Sequence, residues 1–185
     1  MAKQKKEQSS GSGETRAFIF AGIMLFIFTL VFTGLALYSA MQSRTINSSS
    51  AQARSLLNSM NDELRKVNEN VLEICGGVGD AAQNVSEITI SFDAIESAEK
   101  AYVNTAYLGD AELRRFNQAK TFMTAYRARL NEFQVMLNRG ELDRTTMIAL
   151  YTQEIAPIAF TSSEMLEAAI ALNTNNVSAL TARVR

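Results

Sequence analysis

Histidine and tryptophan are absent from the 185-residue chain, and cysteine and proline occur once each, as Cys75 and Pro157. Histidine is the usual general base near pH 7 and the commonest metal ligand, so its absence argues against an enzyme and against a metal site. A lone cysteine excludes an intrachain disulfide and a thiolate zinc site. We therefore expect a non-enzymatic protein with no catalytic residues, no metal and no cofactor.

Clustered positive charge is also missing. The chain has 18 Lys and Arg against 19 Asp and Glu, for a formal charge of −1. Binding to nucleic acid depends on clustered cations that displace counterions from phosphates, so we expect no nucleic-acid partner. With few helix breakers among many Ala, Leu, Met, Glu and Arg, the composition predicts long helices and an all-α fold.

One segment, residues 17–41, is almost continuously apolar and carries no charge. About 20 such residues cross a hydrocarbon core of ~30 Å, so the segment is long enough to span a bilayer. A signal peptide is the rival interpretation, but its apolar part is only about 7–15 residues long, and Tyr38 disfavours cleavage after Ala40. A buried core helix would have a polar face. The segment is therefore predicted to be a single transmembrane helix.

The flanks of this helix predict its orientation. Four basic residues lie within the first 16 positions, whereas only Arg44 and Arg54 follow the helix closely. By the positive-inside rule the N-terminus is cytoplasmic and residues 44–185 form an extracytoplasmic domain. Residues 1–16 are polar and rich in Ser and Gly, which predicts a disordered cytoplasmic tail.

Heptad patterns of apolar residues predict the helices after the anchor, because alternating steps of three and four place them on one helix face. Glycines at 76–79, at 109 and at 140 predict the turns, and Asp80 and Asp143 are candidate starts of the following helices. The first pattern is Leu57, Met60, Leu64, Val67, Val71 and Ile74; the second is Val85, Ile88, Phe92, Ile95, Tyr102 and Ala106; the third is Phe116, Ala119, Met123, Tyr126, Leu130, Phe133 and Leu137; the fourth is Leu166, Ile170, Asn173, Val177, Leu180 and Val184.

Four helical segments joined by short glycine turns predict an up-down-up-down antiparallel four-helix bundle over residues 44–185. Pro157 lies inside the fourth segment and is expected to kink it or to break it into two helices. Asn173 occupies a heptad position, where a buried polar residue usually fixes the register or the partner of a helix. Cys75 is interpreted as a small hydrophobic residue at a helix end, with an intermolecular disulfide as the alternative.

The layout of a basic tail, one membrane helix over 17–41 and four helices with turns at 76–79, 109 and 140 resembles the front end of bacterial methyl-accepting chemotaxis receptors. It is also similar to the sensor domains of some sensor kinases. The resemblance covers about residues 10–185 and rests on architecture and segment lengths, without a sequence motif. It implies a bacterial inner-membrane location, a periplasmic or extracellular bundle, a homodimer and a small ligand. Those receptors pass the signal through a second membrane helix and a cytoplasmic rod. Residues 1–185 include neither, so we expect either the front part of a receptor or a small protein that works by contacting a membrane partner.

A register comparison suggests a ligand site in the bundle. Arg65 lies about ten residues before the Gly76 turn, while Thr152 and Gln153 lie about twelve after Gly140, so the three are expected at a similar height. An arginine opposite a hydroxyl and an amide would hold a carboxylate through charge-assisted hydrogen bonds. The alternative is a salt-bridged, solvated surface.

Two functions remain open from the sequence. One is a membrane-anchored sensor that binds a small molecule and signals through a dimer or partner contact. The other is a structural or accessory subunit that docks onto a larger protein in the lipid bilayer. The resemblance to chemotaxis receptors favours the sensor. The lack of an output module favours the subunit, unless the chain is the front of a longer receptor.

Overall fold

The structure is a computed structural model that describes residues 10–184, with side chains described from 18 to 183. Its elements are α1 (Ser10–Gly76), α2 (Ala81–Val103), α3 (Asp110–Asn138), α4 (Arg144–Leu150), a π-helical turn (Tyr151–Ile155) and α5 (Ala156–Val184). We call the continuous stretch from α4 to α5 the C-terminal helical segment. No strand occurs among residues 10–184, so the predicted all-α class is confirmed.

The chain divides into two compact units, one with the residues up to Arg44 and one running from Thr45 to Arg183. In the first unit the side chains from 18 to 41 are nearly all exposed, although most are apolar. The most apolar 18-residue window of α1 has a mean hydropathy of 2.5 and is 0% buried. A second stretch, Arg144–Arg183, also has the length and composition to cross a membrane; its 18-residue window has a mean hydropathy of 1.3 and is 28% buried. These properties support membrane association.

Helix α1 begins at Ser10, inside the segment predicted to be a disordered tail. Residues 1–9 lie outside the described residues, so the prediction for them stays a prediction. From position 10 to 16 the structure has helix where the sequence indicates disorder. Extending an existing helix adds one hydrogen bond for each residue that becomes ordered, so a long apolar helix can continue into a polar flank.

The second unit, Thr45–Arg183, has a hydrophobic core in which four helical segments pack together. The predicted heptad positions supply most of it, which confirms the helical periodicity. The buried ones are Leu57, Met60, Leu64, Val67, Val71 and Ile74 in α1; Ile88, Phe92, Ile95 and Tyr102 in α2; Phe116, Ala119, Met123, Tyr126, Leu130 and Phe133 in α3; and Leu166 and Asn173 in α5. Ala106, by contrast, is exposed and lies beyond the end of α2.

Contacts between neighbouring helices show that they run in opposite directions. Residues later in α1 contact residues earlier in the C-terminal helical segment, and the same holds for α2 and α3. The pairs are Asn61–Ser163 and Asn68–Tyr151 for α1, and Glu99–Lys120 and Asp93–Arg127 for α2 and α3. Within each of these two pairs of elements, the order of the contacts is therefore antiparallel.

The turn between α1 and α2 follows the glycine pattern. Gly77 and Gly79 have φ angles of +66° and +75°, in the left-handed region that residues with a Cβ rarely adopt. Asp80 then caps α2, since its carboxylate accepts a hydrogen bond of 2.8 Å from the backbone N–H of Ala82. The predicted turn and helix start are both confirmed.

Pro157 disturbs the C-terminal helical segment without separating it into two helices. The residues just before it, Tyr151–Ile155, form a π-helical turn in which the N–H of Ala156 donates to the carbonyl of Tyr151. Proline has no N–H for the carbonyl four residues earlier, at Gln153, and its ring crowds that carbonyl. The wider turn lets the helical backbone continue through this position, so the disturbance takes the form of a π bulge.

A buried carboxylate links the helices at the other end of this unit. Glu112 is 1% exposed, and its Oε1 accepts hydrogen bonds from Tyr102 Oη at 2.8 Å and from Asn173 Nδ2 at 2.9 Å. The backbone N–H of Gly109 donates to its Oε2 at 3.3 Å, and Ser50 Oγ donates to Asn173 Oδ1 at 2.6 Å. Asn173 is buried as predicted, and the network joins α1, the end of α2, α3 and α5.

The two fully buried tyrosines provide a matched test of this network. Burial and the hydrogen bond to Glu112 raise the pKa of Tyr102, and burial raises the pKa of Tyr126, so both hydroxyls stay neutral at pH 7. The hydroxyl of Tyr126 has no hydrogen-bond partner among the described residues. Burying a hydroxyl without a partner costs free energy.

We therefore expect Tyr126→Phe to leave stability unchanged or to raise it by about 1 kcal/mol, and Tyr102→Phe to lower it by about 1–2 kcal/mol. Thermal unfolding of the full chain in nonionic detergent, followed by circular dichroism, measures both. Equal destabilisation by the two substitutions would show that Tyr126 has a partner after all.

Candidate functional site

The three predicted site residues do not line one groove together. Arg65 lies on α1, with its side chain 67% exposed. Thr152 and Gln153 lie in the π-helical turn and are exposed, and the hydroxyl of Thr152 donates to the carbonyl of Ile148 in its own helix at 2.8 Å. Arg65 borders a groove that Thr152 and Gln153 do not line. A ligand role for these residues stays a prediction.

We call this groove, of about 280 Å³, the Arg65 groove; it lies between α1 and the C-terminal helical segment. Leu64 and Ala159 form a buried apolar floor, while Phe160 at its edge is 65% exposed. The full lining is Asn61, Leu64, Arg65, Asn68, Tyr151, Ala156, Ala159, Phe160 and Ser163. Its size suits a molecule smaller than a typical drug.

Two asparagines on α1 bring amide groups to this groove. Ser163 Oγ donates to Asn61 Oδ1 at 2.6 Å, and Tyr151 Oη donates to Asn68 Oδ1 at 2.8 Å. Each asparagine thus uses its carbonyl oxygen, and neither amide nitrogen donates a hydrogen bond within the part of the chain that the structure describes. Two side-chain NH2 groups are therefore available to a ligand.

The charge at the groove is that of Arg65. Asp62 Oδ1 lies 3.8 Å from its guanidinium, which is a loose and solvent-exposed ion pair. Burial raises the pKa of Tyr151, although the hydrogen bond to Asn68 opposes the increase, so this phenol is neutral at pH 7. A cation and free amide donors above an apolar floor are the chemistry that binds a small anion with an apolar body.

A larger depression of about 860 Å³ also includes Arg65, but its chemistry is different. All of its lining residues, from Ala51 to Glu69, belong to α1. One helix presents a convex surface and cannot surround a ligand on several sides. We therefore regard this depression as the solvated polar face of α1.

Cys75 is buried at the end of α1, where its Sγ lies 3.7 Å from the carbonyl oxygen of Met147. Burial raises the pKa of the thiol, and a thiol that stays protonated is a poor nucleophile. These properties match the interpretation of Cys75 as a small hydrophobic residue.

Sequence reasoning missed Tyr151 and Phe160 as groove residues. The interruption at Pro157 was the available signal, because π-helical turns often occur at functional sites. Comparisons of the chain with known protein families, with curated proteins and with solved structures find no match.

Proposed function

We propose that this protein is a membrane-anchored sensor module that binds a small organic acid in the Arg65 groove. The observation that carries the proposal is the exposed and loosely paired guanidinium of Arg65 beside the free amide donors of Asn61 and Asn68. Arginine can bind a carboxylate through two parallel charge-assisted hydrogen bonds. The apolar part of the acid would then rest on Leu64 and Phe160.

In this proposal residues 17–41 cross the bilayer once and the four helical segments form an up-down-up-down bundle outside the cytoplasm. The antiparallel order of contacts supports that topology. The basic residues before the anchor support the orientation. The proposed arrangement is like that of bacterial chemotaxis receptors, and it rests on the likeness in layout alone. A second copy or a membrane partner would receive the signal.

The position of the groove suggests how binding is converted into a signal. Its two walls belong to α1 and to the C-terminal helical segment, so a ligand that contacts both favours one arrangement of these segments. The π-helical turn lies in one wall. Moving such a turn by one position would rotate the residue that it passes by about 100°, which changes the side chain that this wall presents to the groove.

The test is a binding screen on the full chain in nanodiscs of phosphatidylcholine. Acetate, isovalerate, phenylacetate and a set of amino acids are each added, and the melting temperature and the heat of binding are measured. A ligand at ~100 times its dissociation constant stabilises the folded state by about 2.7 kcal/mol. We expect acids with an apolar group to bind more tightly than acetate.

Arg65→Gln should weaken the binding of such an acid about tenfold or more, since it removes a charge-assisted hydrogen bond. Arg139→Gln is the matched control, because Arg139 is an exposed arginine in the turn after α3, outside the groove. The proposal is wrong if no acid binds or if both variants bind equally. Co-purification of a large membrane protein in that case would favour the accessory-subunit function.

A further inference from the structure

A second groove, of about 420 Å³, lies between α1 and α2 and is lined by four glutamates and one lysine. The lysine is already neutralised, because Lys66 Nζ donates to Glu63 Oε1 at 2.6 Å. Lys66 is the only basic residue that lines this groove, so no basic residue of the groove pairs with Glu69, Glu73 or Glu87. We call this site the acidic groove; its charge is opposite to that of the Arg65 groove.

Asn70 gives an independent indication of a ligand in the acidic groove. It lines the groove and is only 9% exposed, and its side-chain amide forms no hydrogen bond with any described residue. Neither amide atom of Asn70 is among the buried side-chain atoms that lack a partner, so this amide is accessible from the groove. A ligand with an N–H donor would therefore be able to donate to the Asn70 carbonyl oxygen.

The carboxylates of this groove are spread out. Glu73 accepts a hydrogen bond of 3.1 Å from Asn84, Glu87 accepts one of 2.9 Å from Gln83, and Glu69 has no partner among the described residues. Nowhere in the described chain do three acidic side chains come close enough together to hold a metal ion. Separated carboxylates suit a ligand whose positive charges are themselves separated.

The wall contributed by α2 is partly apolar. Ile90 is 64% exposed and lines the groove together with Ala94. We propose that the acidic groove binds a linear diamine or polyamine. Its ammonium groups donate to the glutamates and to Asn70, and its methylene chain lies along Ile90 and Ala94.

Titration calorimetry of the full chain in phosphatidylcholine nanodiscs tests this site, with spermidine and 1,4-diaminobutane as probes and 1-aminobutane as the monoamine comparison. We expect saturable binding of the first two and binding of the monoamine that is weaker by about tenfold or more, since it has a single ammonium group. The double variant Glu69→Gln/Glu87→Gln should weaken spermidine binding about tenfold for each glutamate replaced.

The matched control is Glu164→Gln/Glu167→Gln, which removes the same charge from exposed positions on α5. Its affinity for spermidine should stay near that of the unmodified protein, because distant exposed charges are screened at physiological salt. Asn70→Leu should weaken spermidine binding while the free protein stays folded, because it removes the carbonyl acceptor that faces the groove. The proposal fails if spermidine does not saturate or if both double variants lose affinity equally. Such a failure would leave the Arg65 groove untouched, because the two sites share no lining residue.

Discussion

Replacing Glu112 with alanine is expected to lower the free energy of unfolding by about 3–5 kcal/mol, because three donors lose their acceptor at once. The hydroxyl of Tyr102, the amide of Asn173 and the backbone N–H of Gly109 all donate to this carboxylate. Each of these donors would lose its bond to Glu112, which is only 1% exposed, so its acceptor would be lost from a buried region. Native proteins are stable by only about 5–15 kcal/mol, so the loss is a large fraction of the total.

Thermal unfolding of the full chain in nonionic detergent measures the effect, and a decrease in melting temperature of about 10 °C or more is expected. Asp110→Ala is the control, since Asp110 is an exposed acidic residue in the same helical turn. It should cost no more than about 1 kcal/mol through the helix dipole. Glu112→Gln keeps the shape and one acceptor oxygen, so it should fall between the two. Equal shifts for the two alanine variants would contradict the role of the network.

The core could be predicted from the sequence because its signal is local. Heptad spacing depends only on the 3.6-residue turn of a helix, so positions such as Leu57 and Phe116 are identified without knowledge of the partner helix. The turn at 76–79 is equally local, because Gly77 and Gly79 adopt an unusual backbone conformation. Glu112 could also have been found, since it stands four residues before Phe116 on the same helix face and three after Gly109, as in a capping box.

The candidate site was harder to predict because it depends on which faces of α1 and of the C-terminal helical segment pack against each other. Counting from the turns placed Arg65 at the height of residues 152–153, and the structure puts Tyr151 at that height. One residue changes the direction of a helical side chain by about 100°, so residues at a similar height need not line the same groove. The π-helical turn also adds one residue, so the residues after it lie on a different face of the helix from the one that heptad counting assigns.

The double variant Phe26→Arg/Leu30→Arg should remove the protein from the membrane. Both residues lie on α1, one turn apart and exposed, in the middle of the apolar segment. On the scale derived from membrane insertion, an arginine at the centre of a helix costs about 2.5–3.5 kcal/mol, whereas each Leu, Ile, Phe or Val favours insertion by only about 0.3–0.6 kcal/mol. Two arginines therefore offset most of the driving force of this helix.

Carbonate extraction of membranes from expressing cells measures the outcome, and the variant should move from the membrane pellet to the soluble or aggregated fraction. The control is Ile148→Arg/Phe160→Arg, which places the same charges on exposed apolar residues of the second candidate span. That span packs its apolar face into the core through Ile155 and Leu166, so we expect the control protein to stay in the membrane. Retention of the first variant together with release of the second would mean that the C-terminal helical segment, and not α1, holds this protein in the bilayer.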